Sequence, residues 1–134
     1  MISDFSGKSI VIYLAHPISD ADGPTLQRKD NLKVVIQSAF PNAMILDPSD
    51  YNLRDEVDGE DIIIKNKMDI LRSDVVVADL MKASIGTSME CLFAVMNQKK
   101  VIIMTGSRSA WVHQLTKLVA SDDMEVIAHL NLNI

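Results

Sequence analysis

The sequence is poor in cysteine and in aromatic residues. Its 134 residues include one cysteine (Cys91), one tryptophan, two tyrosines and three phenylalanines. A single cysteine cannot form an internal disulfide, and no CxxC pair or His/Cys cluster has the spacing of a metal site. We therefore expect no metal and no cofactor. We expect Cys91 to be a small core residue.

Other absences narrow the class of protein. No stretch is long enough to cross a membrane, and the first residues lack the basic region and long apolar run of a signal peptide. We therefore expect a cytoplasmic protein with no membrane partner. The chain has 13 Lys and Arg against 18 Asp and Glu, a net charge of −5. This charge argues against a nucleic-acid partner but not against a small anion held by backbone amides.

What the chain contains is typical of one globular domain. Hydrophobic residues make up 48% of the chain and charged residues 23%, proportions that are ordinary for a folded protein. We found no internal repeat, linker or low-complexity segment. A chain of this length buries a single core. We therefore predict one domain over residues 1–134.

Strand-like apolar runs alternate with segments of helical spacing. We predict four helices, at 26–40, 61–73, 86–98 and 110–120, and five strands, at 9–15, 43–46, 75–79, 101–104 and 125–130. The polar stretch 51–59 is predicted to be a loop over one end of the sheet. The alternation indicates a doubly wound α/β domain with a five-stranded parallel sheet. A right-handed βαβ start favours the flavodoxin-like order 2-1-3-4-5.

This strand order brings two distant loops to one crevice. The switch point lies between strands 1 and 3, so the loops 15–19 and 84–90 face each other. Gly86 is predicted to open a helix with Glu90 in its first turn. There the helix dipole favours a charged carboxylate by roughly 0.3–1 kcal/mol, which suits a nucleophile. The alternative is that Glu90 only completes a helix cap formed by Thr87.

Two segments resemble the nucleoside 2-deoxyribosyltransferase family. Tyr13 to Ile18 (YLAHPI) resembles its first-strand YxAGPI motif. Ser73 to Asp79 (SDVVVAD), followed by Gly86 to Glu90 (GTSME), resembles its SD-apolar-D and GT-x-M-E block. The resemblance runs from about residue 10 to about residue 104 and implies the fold argued above. The family exchanges the base of 2-deoxynucleosides or hydrolyses the N-glycosidic bond of nucleoside 5′-monophosphates. The resemblance therefore implies that the small-molecule partner is a nucleoside or a nucleotide.

The resemblance implies roles for the matched residues. Glu90 stands where the family's nucleophile attacks C1′ of the sugar. Tyr13 stands where a hydroxyl orients that carboxylate, although it is also a candidate for an aromatic residue packed in the core. His16 replaces the usual glycine, and is either a cation for a phosphate or a solvated loop histidine. The other substrate-binding candidates are Pro17, Ile18, Ser19, Ser84, Gly86 and Ser88.

The chain departs from the family pattern at two positions. Asn66 stands where the family commonly has an aspartate that handles the leaving base, and an asparagine cannot supply a titrating proton. Asp69, about one helical turn further on, is the alternative for that role. Ser84 stands where deoxyribosyltransferases tend to have an acid and the monophosphate hydrolases have a serine. A hydroxyl can donate to a phosphate, so Ser84 favours a nucleotide substrate.

We also predict a homodimer or a higher homo-oligomer. Apolar residues of the third and fourth predicted helices, among them Met96, Trp111 and Leu115, exceed what one core needs. The resemblance implies that a neighbouring subunit completes the site with residues around Asp122, Asp123 and Met124.

Two alternatives to this function remain. One is a non-catalytic nucleotide-binding or sensing module on the same fold. The other is a phosphoribohydrolase with the signature PGGxGTxxE. The chain shares the Gly-Thr-x-x-Glu part of that signature but has Ala83-Ser84-Ile85 before Gly86.

Overall fold

The computed structural model describes residues 9–18, 21–52 and 59–134 and contains one five-stranded parallel sheet. Its strand order is β2-β1-β3-β4-β5, which confirms the predicted fold class and order. The strands are Val11–Ala15 (β1), Met44–Leu46 (β2), Val75–Asp79 (β3), Lys100–Met104 (β4) and Val119–Ala120 (β5).

Helices cover both faces of the sheet. They are Gly23–Ala39 (α1), Ser49–Asn52 (α2), Gly59–Arg72 (α3), Ile85–Met96 (α4), Ala110–Leu115 (α5) and Asp123–Asn133 (α6). In the described part of the chain, no helix is long and apolar enough to cross a membrane.

Alternation along the strands divides the core into two layers. Ile12 and Leu14 of β1 pack with residues of α1 and α6, whereas Tyr13 and Ala15 pack with residues of α3 and α4. Successive side chains of a strand point to opposite faces, so every central strand serves both layers. Cys91 is fully buried in the second layer, which confirms its prediction as a core residue.

The register of the central strands fixes where a ligand can bind. Ala15 pairs with Ala78, and Asp79 pairs with Met104. The carboxyl ends of β1, β3 and β4 therefore lie at one edge of the sheet. All five residues of β3 are buried. Because β1 and β3 are paired neighbours, the loops that follow them lie side by side at this edge.

The C-terminal elements differ from the prediction. Residues 125–130, predicted to be a strand, lie in α6, and the fifth strand is β5, inside the segment predicted to be a helix at 110–120. The Asp122 side chain accepts a hydrogen bond from the backbone N–H of Glu125 (2.9 Å) and caps α6. Val126 and Leu130, four residues apart, are fully buried. The cap and this spacing outweigh the strand preference of a short β-branched run.

Element boundaries in two regions also differ from the prediction. α1 begins at Gly23 because the Asp22 side chain accepts a hydrogen bond from the backbone N–H of Thr25 (2.9 Å) and caps the helix. The stretch 51–59, predicted to be a loop, contains the end of α2 and the first residue of α3. Its residues 53–58 lie outside the described residues.

Candidate active site

A cavity of about 800 Å³ opens at the switch point between β1 and β3. Its walls come from the loop after β1, from α3, and from α4 with the loop that precedes it. Most of the lining is apolar. The polar residues that line it are His16, Asn66, Lys67, Lys82, Ser84, Thr87 and Glu90.

Glu90 lies in the second turn of α4, so its predicted place in the first turn is wrong. The helix begins at Ile85, and the Ser84 side chain caps it by accepting the backbone N–H of Thr87 (3.3 Å). The cap is therefore Ser84 and not Thr87, and the alternative in which Glu90 completes a cap with Thr87 is also wrong. From the sequence we considered only Thr87 as the cap, because we expected the helix to open at Gly86.

Burial raises the pKa of the Glu90 carboxyl above its usual value. The hydrogen bond from Tyr13, the charge of His16 and a hydrogen bond from Asn66 act in the opposite direction and offset part of this rise. We expected the helix dipole to stabilise the Glu90 carboxylate. This expectation is wrong, because Glu90 lies beyond the first turn of α4. At this site neighbouring side chains, rather than the helix terminus, favour the charged form.

Tyr13 connects the core to the cavity. Its side chain is fully buried, and its hydroxyl donates a hydrogen bond to Oε2 of Glu90 at 2.6 Å. Burial first, and then the charge of Glu90, raise the pKa of Tyr13, so the phenol stays protonated and remains a donor. The ring of Tyr13 packs in the core, as one interpretation expected, and its hydroxyl contacts the Glu90 carboxylate.

Of the two candidates on α3, the structure places Asn66 beside Glu90. Asn66 is buried and lines the cavity, and its side chain lowers the pKa of the Glu90 carboxyl. Its Oδ1 has no hydrogen-bond partner among the described residues. The Asp69 carboxylate instead accepts hydrogen bonds from Lys65 Nζ (2.6 and 2.7 Å) and from Arg72 Nε (3.2 Å). Asp69 is not among the residues that line the cavity.

His16 is buried, so its interpretation as a solvated loop histidine is wrong. Its side chain has no exposed surface, although it forms part of the cavity wall. Nε2 lies 2.7 Å from Oδ1 of Asp47, and Nδ1 lies 3.1 Å from the carbonyl oxygen of Pro17. Both ring nitrogens of His16 therefore have a partner within hydrogen-bond distance.

Sequence reasoning missed Asp47, which directly follows the second predicted strand at 43–46. Its carboxylate is fully buried and accepts hydrogen bonds from His16, from Ser49 and from Lys33 Nζ (3.0 Å). Burial alone would raise the pKa of Asp47, but these hydrogen bonds hold it below its ordinary value. The available signal was the position of an acid directly after a strand, at the carboxyl edge of the sheet.

The remaining predicted site residues fall into three groups. Pro17, Ile18, Ser84 and Gly86 line the cavity. Ser88 does not line it, because its side chain is exposed and its hydroxyl donates to the carbonyl oxygen of Ser84 (2.7 Å). Ser19 lies outside the described residues. The residues predicted to complete a neighbouring site are at the start of α6 and do not line this chain's own cavity; they are Asp122, Asp123 and Met124.

The sequence did not single out two cations of the cavity wall. Lys82 precedes the Ser84 cap in the same loop, and Lys67 follows Asn66 on α3. Their positions next to residues already identified were the only signal. Across residues 9–18, 21–52 and 59–134, no group of three or more His, Cys, Asp or Glu side chains is arranged to hold a metal ion.

Comparisons with known proteins show the fold. No protein-family model and no curated protein sequence matches the chain. A conserved protein from Enterococcus faecalis superposes with a TM-score of 0.77 at 18% identity, covering 95% of this chain and 100% of that one. A 2-deoxyribosyltransferase from Bacillus psychrosaccharolyticus gives a TM-score of 0.70 at 16% identity, over 87% and 90% of the two chains.

A third solved structure has the same fold. The CMP N-glycosidase of Clostridium botulinum superposes with a TM-score of 0.67 at 15% identity, covering 91% of this chain and 98% of that one. The chain therefore shares the fold of a deoxyribosyltransferase and of a nucleotide N-glycosidase over most of its length.

Proposed function

We propose that this chain is a member of the nucleoside 2-deoxyribosyltransferase family. In this proposal it cleaves the N-glycosidic bond of (2-deoxy)nucleosides or their 5′-monophosphates through a covalent glycosyl-Glu90 intermediate. The observation that carries the proposal is the pair in the cavity, in which the hydroxyl of the buried Tyr13 donates to Oε2 of the partly buried Glu90 at 2.6 Å. The shared fold with a 2-deoxyribosyltransferase and a CMP N-glycosidase supports it.

The proposed chemistry is that of a retaining glycosidase. Oε1 of Glu90 attacks C1′, because Oε2 already accepts the Tyr13 hydroxyl. The C1′–O bond forms as the C1′–N bond breaks, and the electron pair of that bond leaves with the base. A second acceptor then attacks C1′ and releases the carboxylate. A base as acceptor makes the enzyme a transferase, and water makes it a hydrolase.

Asn66 fits the departing base. Its amide is buried in the cavity wall with Oδ1 unpartnered among the described residues. A buried acceptor without a partner costs roughly 1–3 kcal/mol, and an amino or ring N–H group of a base would satisfy it. Asn66 has no titrating proton, so in this proposal the leaving base takes its proton from water.

The 5′ end of the substrate is assigned to the start of α4. Ser84 caps this 12-residue helix and lines the cavity. Backbone N–H groups at a helix N-terminus favour an anion, and Lys82 in the same wall adds a positive charge. We therefore propose that a 5′-phosphate is accepted. We further propose a homo-oligomer in the cytoplasm, with residues around Asp122 completing the site of a neighbour.

The test is chromatographic. The purified protein is incubated with several nucleosides, 2-deoxynucleosides and their 5′-monophosphates, each with and without an acceptor base, and the released or exchanged base is measured. Glu90→Gln removes the nucleophile while keeping the size of the side chain. We expect turnover to fall to background. Glu60→Gln is the matched control, because it makes the same change at an exposed residue that does not line the cavity.

A 2-deoxy-2-fluoro sugar analogue tests the intermediate directly. We expect wild-type protein to gain the mass of the sugar on the peptide that contains Glu90, and Glu90→Gln protein to remain unlabelled. Near-wild-type turnover in folded Glu90→Gln would refute the nucleophile. Tight nucleotide binding without turnover by the wild type would instead establish the non-catalytic sensing module.

A further inference from the structure

The loop after β1 carries a buried histidine whose two ring nitrogens both have partners. Nε2 of His16 lies 2.7 Å from Oδ1 of Asp47, and Nδ1 lies 3.1 Å from the carbonyl oxygen of Pro17. The side chains of His16 and Asp47 have no exposed surface. Water therefore does not compete for either nitrogen.

Both partners of the ring only accept hydrogen bonds. A carbonyl oxygen has no proton to give, and the hydrogen bonds to Asp47 keep its carboxylate ionised. A neutral imidazole carries one N–H, so it would leave one of these two contacts as a repulsion between lone pairs. Both contacts become hydrogen bonds only when each ring nitrogen carries a proton. The geometry therefore favours an imidazolium.

The surroundings of Asp47 fix this arrangement in place. Its Oδ1 also accepts from the Ser49 backbone N–H (2.9 Å), and its Oδ2 accepts from Lys33 (3.0 Å). Lys29 Nζ lies 3.3 Å from the same oxygen and pairs with Asp30 as well. The carboxylate is therefore anchored to α1 and to the start of α2, which leaves His16 little freedom to move.

His16 and the proposed nucleophile line the same cavity. A positive charge on the His16 imidazole lowers the pKa of the Glu90 carboxyl. The Tyr13 hydroxyl from β1 and the Asn66 amide from α3, both uncharged, also lower this pKa. The cations Lys82, in the loop before α4, and Lys67 of α3 line the same cavity.

We propose that Asp47 holds His16 as an imidazolium and that this fixed charge makes His16 a positioning residue, which keeps Glu90 in its carboxylate form. This inference rests on the proposed function of Glu90. It gives a physical reason for a histidine where the resembling motif has a glycine. It also explains how Glu90 can be ionised although burial raises its pKa. The helix dipole cannot supply this effect, because Glu90 lies beyond the first turn of α4. Both ring protons are committed to hydrogen bonds, so His16 acts through Glu90 and not on the substrate.

The first measurement needs no substrate. Nitrogen chemical shifts of the imidazole rings are recorded by NMR in wild-type protein at neutral pH, and His16→Gln assigns one of the three histidines. We expect His16 to show two protonated ring nitrogens. A spectrum in which His16 has one unprotonated ring nitrogen would overturn the inference.

The second measurement is the titration of the Glu90 side-chain carboxyl carbon, assigned with Glu90→Gln. His16→Gln keeps an N–H donor for Asp47 but removes the charge, so we expect the Glu90 titration to move upward by about one pH unit. His113→Gln is the control, since that imidazole is exposed and hydrogen-bonds Ser107 instead. An unchanged Glu90 titration in folded His16→Gln would contradict the inference.

Activity then separates this inference from the proposed function. If the protein cleaves nucleosides, the acidic limb of kcat/KM in His16→Gln should move with the Glu90 titration, by the same amount. A purely structural role of His16 would lower kcat/KM at every pH and leave the limb in place, which would count against the inference. If no substrate is cleaved, the proposed function fails, and the two NMR measurements still decide the charge of His16 and its effect on Glu90.

Discussion

Replacing Ser84 by aspartate tests where the 5′ end of the substrate binds. The Ser84 side chain is partly exposed, lines the cavity and caps α4 by accepting the backbone N–H of Thr87. Aspartate is as good a helix cap as serine, so Ser84→Asp should leave the melting temperature nearly unchanged. The substitution therefore adds one negative charge to the cavity wall without removing the cap.

The size of the effect follows from Coulomb's law. One unit charge about 5 Å from another gives about 3 kcal/mol at an effective dielectric constant of 20, and about 1 kcal/mol in water. Because Ser84 is partly exposed, we expect a value between these limits for a 5′-phosphate. This repulsion corresponds to a loss of roughly 5- to 150-fold in kcat/KM for the monophosphate. The free nucleoside carries no charge there and should be affected far less.

Ser84→Asn is the matched control, because asparagine also caps helices but carries no charge. The measurement is the ratio of kcat/KM for a deoxynucleoside 5′-monophosphate to that for the free nucleoside, in the wild type and in both variants. We expect the ratio to fall only in Ser84→Asp. An identical ratio in the three proteins would refute the assignment of the phosphate to the start of α4. A wild type that also prefers the free nucleoside would favour an ordinary nucleoside deoxyribosyltransferase.

Four further predictions concern Tyr13, Glu90, Asp122 and the oligomeric state. Tyr13→Phe removes a hydrogen bond to a charged group, worth about 1.5–3 kcal/mol, so kcat/KM should fall roughly 10- to 150-fold; an undiminished rate would exclude Tyr13 from the reaction. Glu90→Gln should raise the melting temperature at neutral pH. Because the pKa of Glu90 is raised in the folded state, its ionised form opposes folding. This cost appears as pH rises from the pKa of the unfolded state, about 4.3, through the pKa of the folded state, and it is absent in acid. An equal rise in melting temperature in strong acid would contradict this sign. Asp122→Ala should destabilise α6 by about 1 kcal/mol whereas Asp122→Asn should not, and a loss of activity in Asp122→Asn without a change in melting temperature would indicate the proposed role at a neighbour's site. Light scattering should show an oligomer that Trp111→Glu dissociates, since this side chain is 88% exposed, and a stable wild-type monomer at micromolar concentration would contradict the prediction.

The central part of the fold was predictable because its pattern is local. Residues 75–79 form an uninterrupted apolar run, and the structure has β3 at those residues. A strand buried on both faces needs a continuous run of this kind. The order of the sheet then followed from the handedness of the βαβ unit. The loops that flank the cavity were consequently located from the sequence.

The end of the chain was not predictable by the same means. Residues 125–130 contain β-branched and other apolar residues in a run too short for periodicity to separate a strand from a helix. The deciding contact is the cap of α6, in which Asp122 accepts the N–H of Glu125. The Asp-x-x-Glu spacing before this run is a helix-start signal that the strand prediction did not use.

The charged environment of the site depends on long-range pairing. His16 and Asp47 are 31 residues apart, and they meet because β1 and β2 are neighbours, with Tyr13 paired to Leu46. Nothing local in either segment indicates this contact. The burial of Glu90 is likewise a property of the packed layers, since α4 turns it toward β1 and α3. The residue itself was predictable, whereas its ionisation was not.

The short outer strands of the sheet have a consequence for the behaviour of the protein at high concentration. β2 at one edge has three residues and β5 at the other has two, against five in each of the inner strands. An edge strand offers unpaired backbone groups to any other extended chain, and a short edge offers few of them. Both rims of this sheet are therefore poor templates for strand addition, so self-association should proceed through helix faces and not through growth of the sheet. The same brevity leaves few ladder hydrogen bonds at the rims, where amide hydrogens should exchange with solvent before those of the three inner strands.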